Sequence, residues 1–320
     1  MPLARRALLA AILSSVAALP AAAQLNPSRS ITLVVPIAAG GGVDAIGRLV
    51  AEKLQERLKI NVVVENRTGA GGTVGTDSVA KAAPDGHTLL LMESSAAISK
   101  WLNKGVPFDV TRDFAPVAQV GTSPLMMFGH PSVEASDAKG VIELARKSPL
   151  QIATPGVGTP HHLANLMFNA AAKVDITAVP YRGTGPGLAD VLAGRVPLMW
   201  ATPVALIPHI ESGKVKALAV ASLKRTTSLP QAPTIAESAL PGFRVEIWFG
   251  VAAPARTPPA IVGQLAKEIE TIMAQLDVQE RVKKFGFETA YAGSEAFRKL
   301  IADDHARYGQ AVQAAGIEPK

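Results

Sequence analysis

Ile31-Thr32-Leu33-Val34-Val35-Pro36-Ile37-Ala38-Ala39-Gly40-Gly41-Gly42-Val43-Asp44 joins an apolar, β-branched run to three consecutive glycines. Beyond it, Ile46, Leu49, Val50, Leu54 and Leu58 fall on one face of a helix that starts near Asp44. The stretch therefore reads as strand, tight turn, helix, and a strand this apolar and β-branched belongs to a sheet covered by helices. Outward from it the alternation repeats. Ile60 to Val64, Thr88 to Met92, Gln151 to Thr154, Ile176 to Val179, Pro197 to Trp200 and Ala217 to Ala221 read as buried strands. Between them, Ser136 is the expected N-cap of a helix bearing Ala138, Val141, Ile142 and Ala145. Thr159-Pro160 opens another with Leu163, Leu166 and Met167, and Pro186 opens a third that Gly194 closes. This pattern predicts an α/β fold with a mainly parallel sheet.

The C-terminal part differs in texture. Thr257-Pro258-Pro259 opens a helix to about Leu276, and Ser294 caps one from Glu295 to about Ala315 with Gly316 as its stop. Helices of this length are expected on the outside of a sheet. No low-complexity linker interrupts the chain, so two lobes would be joined through ordered strands, best placed in Val120 to Pro131 and Leu240 to Pro254.

With 48% hydrophobic and 18% charged residues, the 320-residue chain buries a core and is too apolar for disorder. Its 32 Lys and Arg against 26 Asp and Glu leave a net charge of +6, but the basic residues are scattered and form no nucleic-acid stripe. The absence of cysteine excludes disulfides, thiolate metal sites and cysteine nucleophiles. At the N-terminus Arg5 and Arg6, the apolar run Ala7 to Leu19 and the small residues Ala21 to Ala23 have the layout of an export signal. That run is shorter than the roughly 20 residues a spanning helix needs. Residues 1–23 are therefore expected to be removed by cleavage after Ala23, leaving an exported chain.

Three turns invite a ligand. Pro36 to Asp44 brings glycine N–H groups together at a helix N-terminus, which suits an anion. Its contiguous glycines match neither a dinucleotide fingerprint nor a P-loop, and a tight turn without ligand explains it equally well. Thr154-Pro155-Gly156-Val157-Gly158-Thr159-Pro160-His161-His162 repeats the strand-turn-helix arrangement, and two such turns suggest one ligand held between two halves. Tyr181-Arg182-Gly183-Thr184 is the third, where Arg182 either neutralises a carboxylate or is an ordinary surface arginine. Catalytic patterns are weak: His161-His162 has no partner carboxylate at ligand spacing, and Ser136-Asp137-Ala138-Lys139 lacks the companion motifs of a Ser-x-x-Lys enzyme. Trp200, at a strand end before Ala201-Thr202-Pro203, sits where a ligand is expected.

The chain resembles the substrate-binding receptors of tripartite tricarboxylate transporters, the Bug-type receptors, from about Ser30 to the C-terminus. The resemblance is carried by Pro36 to Asp44, Glu65 to Gly72, Pro84 to Leu89, Gly156 to Thr159 with His162-Leu163, Pro180 to Gly183, Leu218 to Val220, Pro233 to Glu237 and Trp248 to Gly250. It implies a two-lobed, type II (Venus-flytrap) periplasmic binding protein. One lobe is residues 25–123 with 245–320 and the other is 124–244, and the lobes close on a small carboxylate held by backbone amides. The implied contacts in the first lobe are Ile37, Ala38, Ala39, Gly40, Gly41, Asp44 and Ser94. In the second they are Gly156, Gly158, Thr159, His162, Arg182, Gly183 and Thr184, with Trp200 and Thr202. Departures are Ile37-Ala38-Ala39 for the usual Phe-Pro-Pro, Val43 for a Ser or Thr, Arg182 for a lysine and Pro197 for an aspartate, so the ligand is not inherited.

The resemblance further implies a monomeric receptor without cofactor, metal or catalysis that passes its ligand to membrane permease subunits. A secreted α/β hydrolase or transferase using His162, and a sensory receptor that presents ligand to a signalling protein, are the alternatives. Dicarboxylates, tricarboxylates, acidic amino acids and aromatic acids all fit such a site, with Ala38, Ala39 and Trp200 favouring a bulkier acid.

Overall fold

The strand-turn-helix units of the sequence recur in the computed structural model, which describes residues 24–319 apart from 38, 41, 158, 182, 204, 205 and 315. The expected signal segment lies outside the described residues. The first part of the chain runs Ile31–Val35 (β1), Gly42–Leu58 (α1), Val62–Asn66 (β2), Thr73–Ala80 (α2), Thr88–Glu93 (β3), Ser95–Leu102 (α3) and Phe114–Pro124 (β4). The middle runs Met126–Gly129 (β5), Ala138–Lys147 (α4), Leu150–Thr154 (β6), Pro160–Ala172 (α5), Ile176–Pro180 (β7), Thr184–Leu192 (α6), Leu198–Ala201 (β8), Ile207–Glu211 (α7), Lys216–Val220 (β9) and Ile235–Ser238 (α8). The last part adds Glu246–Pro254 (β10), Pro259–Met273 (α9), Leu276–Lys284 (α10), Ala292–Gly293 (β11) and Ser294–Ala314 (α11).

These strands form two sheets, and each carries one α/β lobe. The first is six-stranded in the order β11-β4-β10-β3-β1-β2, and the second five-stranded in the order β7-β6-β8-β5-β9. The chain leaves the first sheet between β4 and β5 and returns to it between β9 and β10. Both sheets are mixed, with four strands of each running in one direction. The units β1-β2, β1-β3, β6-β7 and β6-β8 pair in parallel. The strands flanking the crossings do not: β10 is antiparallel to β3 and β4, and β5 to β8 and β9. The reversed strands β5 and β10 are those by which the chain enters a sheet at a crossing, while β4 and β9, by which it leaves, run with the parallel units.

Local boundaries follow capping chemistry, with three corrections. Asp137, not Ser136, caps α4, its carboxylate accepting from Gly140 N at 2.8 Å. Helix α6 starts at Thr184, ahead of Pro186, because a first-turn proline removes only an N–H that has no helical partner. The helix expected to reach Leu276 stops at Met273 and a separate one begins at Leu276. One apolar cluster runs through both sheets by way of Val120, Leu125, Met127, Phe243, Val245 and Ile247 at the crossings. Helix α11 is pinned to β10 by Asp304, buried at 1% exposure, which accepts from Trp248 Nε1 (2.9 Å), Tyr308 OH (3.0 Å) and Arg307 (2.7 Å).

Candidate functional site

A cavity of about 460 Å³ lies between the lobes. The first lobe contributes Ile37 after β1, Ala70, Gly71 and Thr73 after β2, Glu93 and Ser95 after β3, and Ser99, Leu102, Asn103 and Val106. The second contributes Val157, Thr159 and Pro160, the turn between β6 and α5. Every one of these turns follows the carboxyl end of a strand, where open α/β sheets leave a crevice between diverging chains.

The first-lobe turn is tied from inside. Asp44, 3% exposed, accepts from Gly40 N (2.9 Å) and Arg48 Nε (2.9 Å) on one oxygen and from Asn66 Nδ2 (2.8 Å) on the other. Burial would raise its carboxyl, but the hydrogen bonds from Arg48, Gly40 and Asn66 hold it below the ordinary range. Asn66 Nδ2 also donates to Ile37 O at 3.1 Å. Asp44 is thus an internal brace, and the Gly40 amide is spent on it.

The second-lobe turn is self-capped. Thr159 Oγ1 donates to Gly156 O (2.8 Å) and accepts from His162 N (3.3 Å) as the N-cap of α5. Gly156 sits at φ 148°, which favours glycine. Gly183 N donates to Pro155 O (3.1 Å) and Tyr181 N to Thr154 O (2.8 Å), lacing the turn after β7 to the turn after β6.

Charge at the cavity is unusual in sign. Burial lowers His161 to about 4 and pulls His162 below its ordinary value, so His161 is neutral at neutral pH. Burial pushes the Glu93 carboxyl above the ordinary range against the opposing hydrogen bond from Ser95 Oγ, 2.7 Å from Oε1. Among the described residues no group of His, Asp and Glu is placed to hold a metal ion, and no helix is long and apolar enough to cross a membrane.

Of the residues expected from sequence, Ile37 and Thr159 line the cavity, while Ala39, Gly40, Asp44, Gly156, His162, Gly183, Thr184 and Thr202 do not. Most of these sit in or beside the same turns and shape them through the backbone. Ala38, Gly41, Gly158 and Arg182 lie outside the described residues. Ser94 is fully buried at the start of α3, with its Oγ unpartnered among the described residues. Trp200 is a correction: it is 0% exposed and its ring meets Phe168 edge-on at 6.3 Å, so it fills the core of the second lobe and forms no cavity wall. The unanticipated residues are Glu93, Ser95, Ser99 and Asn103 on one side and Ala70, Gly71 and Thr73 on another. Ala70 and Gly71 fall in the segment Glu65 to Gly72 that carried the family resemblance, the one available signal.

Two α/β lobes, joined by two crossings and enclosing a cavity at the carboxyl ends of their strands, define a solute-binding receptor of the periplasmic-binding-protein class. Residues 46–317 match the pattern of the tripartite tricarboxylate transporter family receptor, TctC, and the chain belongs to that family of receptors, which are not enzymes. It is 40% identical over 285 residues to the UPF0065 protein in the tcbD-tcbE intergenic region of Pseudomonas sp. (strain P51), covering 88% of this chain and 85% of that protein. The structure of the periplasmic binding protein BugD superposes with a TM-score of 0.77 at 36% identity, covering 92% of this chain and 100% of that one. Rpa4515 of R. palustris with adipate superposes with a TM-score of 0.79 at 31% identity, covering 92% and 99%.

Proposed function

We propose that the protein is a periplasmic receptor that binds a small organic carboxylate between its lobes and delivers it to the membrane components of a tripartite tricarboxylate-type transporter. Residues 25–123 with 245–320 act as one lobe and 124–244 as the other, after export as a monomer and removal of residues 1–23. The observation that carries the reading is the cavity itself, whose walls come from strand-end turns of both lobes. The 13-residue helix α5 presents its N-terminal turn there through Thr159 and Pro160, supplying partial positive charge where no ionised histidine does. The adipate complex of a family neighbour supports the carboxylate class.

The test is calorimetry and thermal unfolding of the exported chain against a panel of aliphatic and aromatic carboxylates, with recovery of the bound molecule. Saturable one-to-one binding is expected, with ligand at about 100 times Kd adding roughly 2.7 kcal/mol of stability and being returned unchanged. A folded protein that binds none of the acids, or alters the one it binds, overturns the reading.

A further inference from the structure

We propose that Glu93 selects the ligand: the receptor takes an acid that carries a hydrogen-bond donor, such as an amino group, at the end opposite its carboxylate, and discriminates against the matching dicarboxylate. The inference rests on the carboxylate reading above and narrows it.

Glu93 ends β3 and faces the cavity. Ser95 Oγ holds Oε1 at 2.7 Å, and among the described residues no protein donor meets Oε2 and no Lys, Arg or His forms an ion pair with the carboxyl. A half-buried carboxyl at the wall of a crevice, with one oxygen that no described protein donor meets, can accept a charge-assisted hydrogen bond from a ligand. Ser95, Ser99 and Asn103, at the four-residue spacing of one helix face, continue this polar wall along the first lobe. The opposite wall is the α5 N-terminus with Val157, Thr159 and Pro160, polarised to receive an anion. The cavity therefore has an end of partial positive charge and an acceptor end, and a ligand bridging the two lobes is asymmetric in the same sense. A dicarboxylate would set like charges together, or require Glu93 to hold a proton that its own burial favours but that is lost as pH rises.

The test compares, by calorimetry at about pH 8 so that Glu93 is driven toward its ionised form, wild type and Glu93→Gln with matched probes: glutarate against γ-aminobutyrate, adipate against δ-aminovalerate, and terephthalate against para-aminobenzoate. In wild type the amino acid of at least one pair is expected to bind tenfold or more tighter, roughly, than its dicarboxylate, the scale of a charge-assisted hydrogen bond. Glu93→Gln keeps the shape and an oxygen for Ser95, and is expected to reduce that preference by about tenfold or more. A wild-type protein that binds the dicarboxylates as tightly as their partners overturns the inference and leaves the carboxylate reading standing. An unchanged preference in a folded Glu93→Gln also overturns it. Should that variant not fold, the wild-type pairs alone decide. Failure of every acid to bind overturns the reading on which the inference rests.

Discussion

The amide of Asn66 shows how one side chain can set a ligand-facing turn from behind. From the end of β2 it donates to Ile37 O and to Asp44 Oδ1, joining the residue that lines the cavity to the carboxylate that braces the glycine turn. Replacing it with alanine leaves a buried carboxylate short of one donor and a backbone carbonyl short of another, a loss of about 1 to 3 kcal/mol. Asn66→Ala is therefore expected to lower the unfolding free energy measured in urea by that amount and to weaken ligand binding by roughly tenfold as the turn loosens. Arg48→Ala also removes a donor from Asp44, but the arginine is 53% exposed and water can take its place, so it is expected to cost less, about 1 kcal/mol. Equal, small effects of the two substitutions, measured by urea unfolding and calorimetry, would mean that the turn holds its shape without Asn66.

At the scale of elements, legibility follows how locally each feature is determined. The strand Thr88–Glu93 is legible because burial on both faces writes a continuous apolar run, and α5 because Thr159-Pro160 is a cap that needs no tertiary partner. The long strand Phe114–Pro124 is not: Pro116, Gln119 and Gly121 break its pattern, and its pairing with β10 tolerates them through register shifts. Glu93 escapes because an acidic residue ending an apolar run reads as a solvated strand end, and only the opposing lobe turns that end into a cavity wall. Trp200 misleads for a related reason, since a position in a strand does not say which layer covers each face.

Packing of α11 on β10 is a second consequence of non-local geometry. A Cβ on Gly250 would stand 2.2 Å from Phe297 Cζ and 2.8 Å from Ala118 O, so Gly250→Ala must push the helix off the strand. It is expected to destabilise by about 1 to 3 kcal/mol in urea. Gly263→Ala on the outside of α9 meets nothing within 4 Å and is expected to stabilise by about 0.5 to 1 kcal/mol through helix propensity alone. Two variants of equal stability would show that the sheet and α11 adjust without cost.

At the scale of the whole molecule, α5 has two jobs that cannot be separated. Its N-terminal turn walls the cavity, while Leu163, fully buried, belongs to the apolar cluster built on the first lobe with Trp248, Phe297 and Ile301. Nearer the crossings, Glu288 pairs its backbone with Thr122 and accepts from Thr226 Oγ1 (2.8 Å) and Thr227 N (3.1 Å), a clasp beside the hinge. In the receptor proposed above a ligand enters when the lobes part, and parting them would withdraw α5 from the first lobe and wet Leu163. Burial of a leucine side chain favours the closed arrangement by about 1.5 to 3 kcal/mol. Leu163→Ala removes most of that bias, and a loss of about 2 kcal/mol shifts the open-to-closed ratio roughly 30-fold. The unliganded variant is therefore expected to have a larger radius of gyration than unliganded wild type in small-angle scattering. It is also expected to compact more on binding and to bind more weakly, because part of the binding energy now goes into closing the lobes. The side chain packs on the opposite lobe, so the second lobe's own fold should survive, which circular dichroism and thermal unfolding check. A folded variant with an unchanged radius of gyration and unchanged affinity would mean that Leu163 keeps its contacts through opening, and that the lobes swing about a hinge lying on the α5–α11 contact itself.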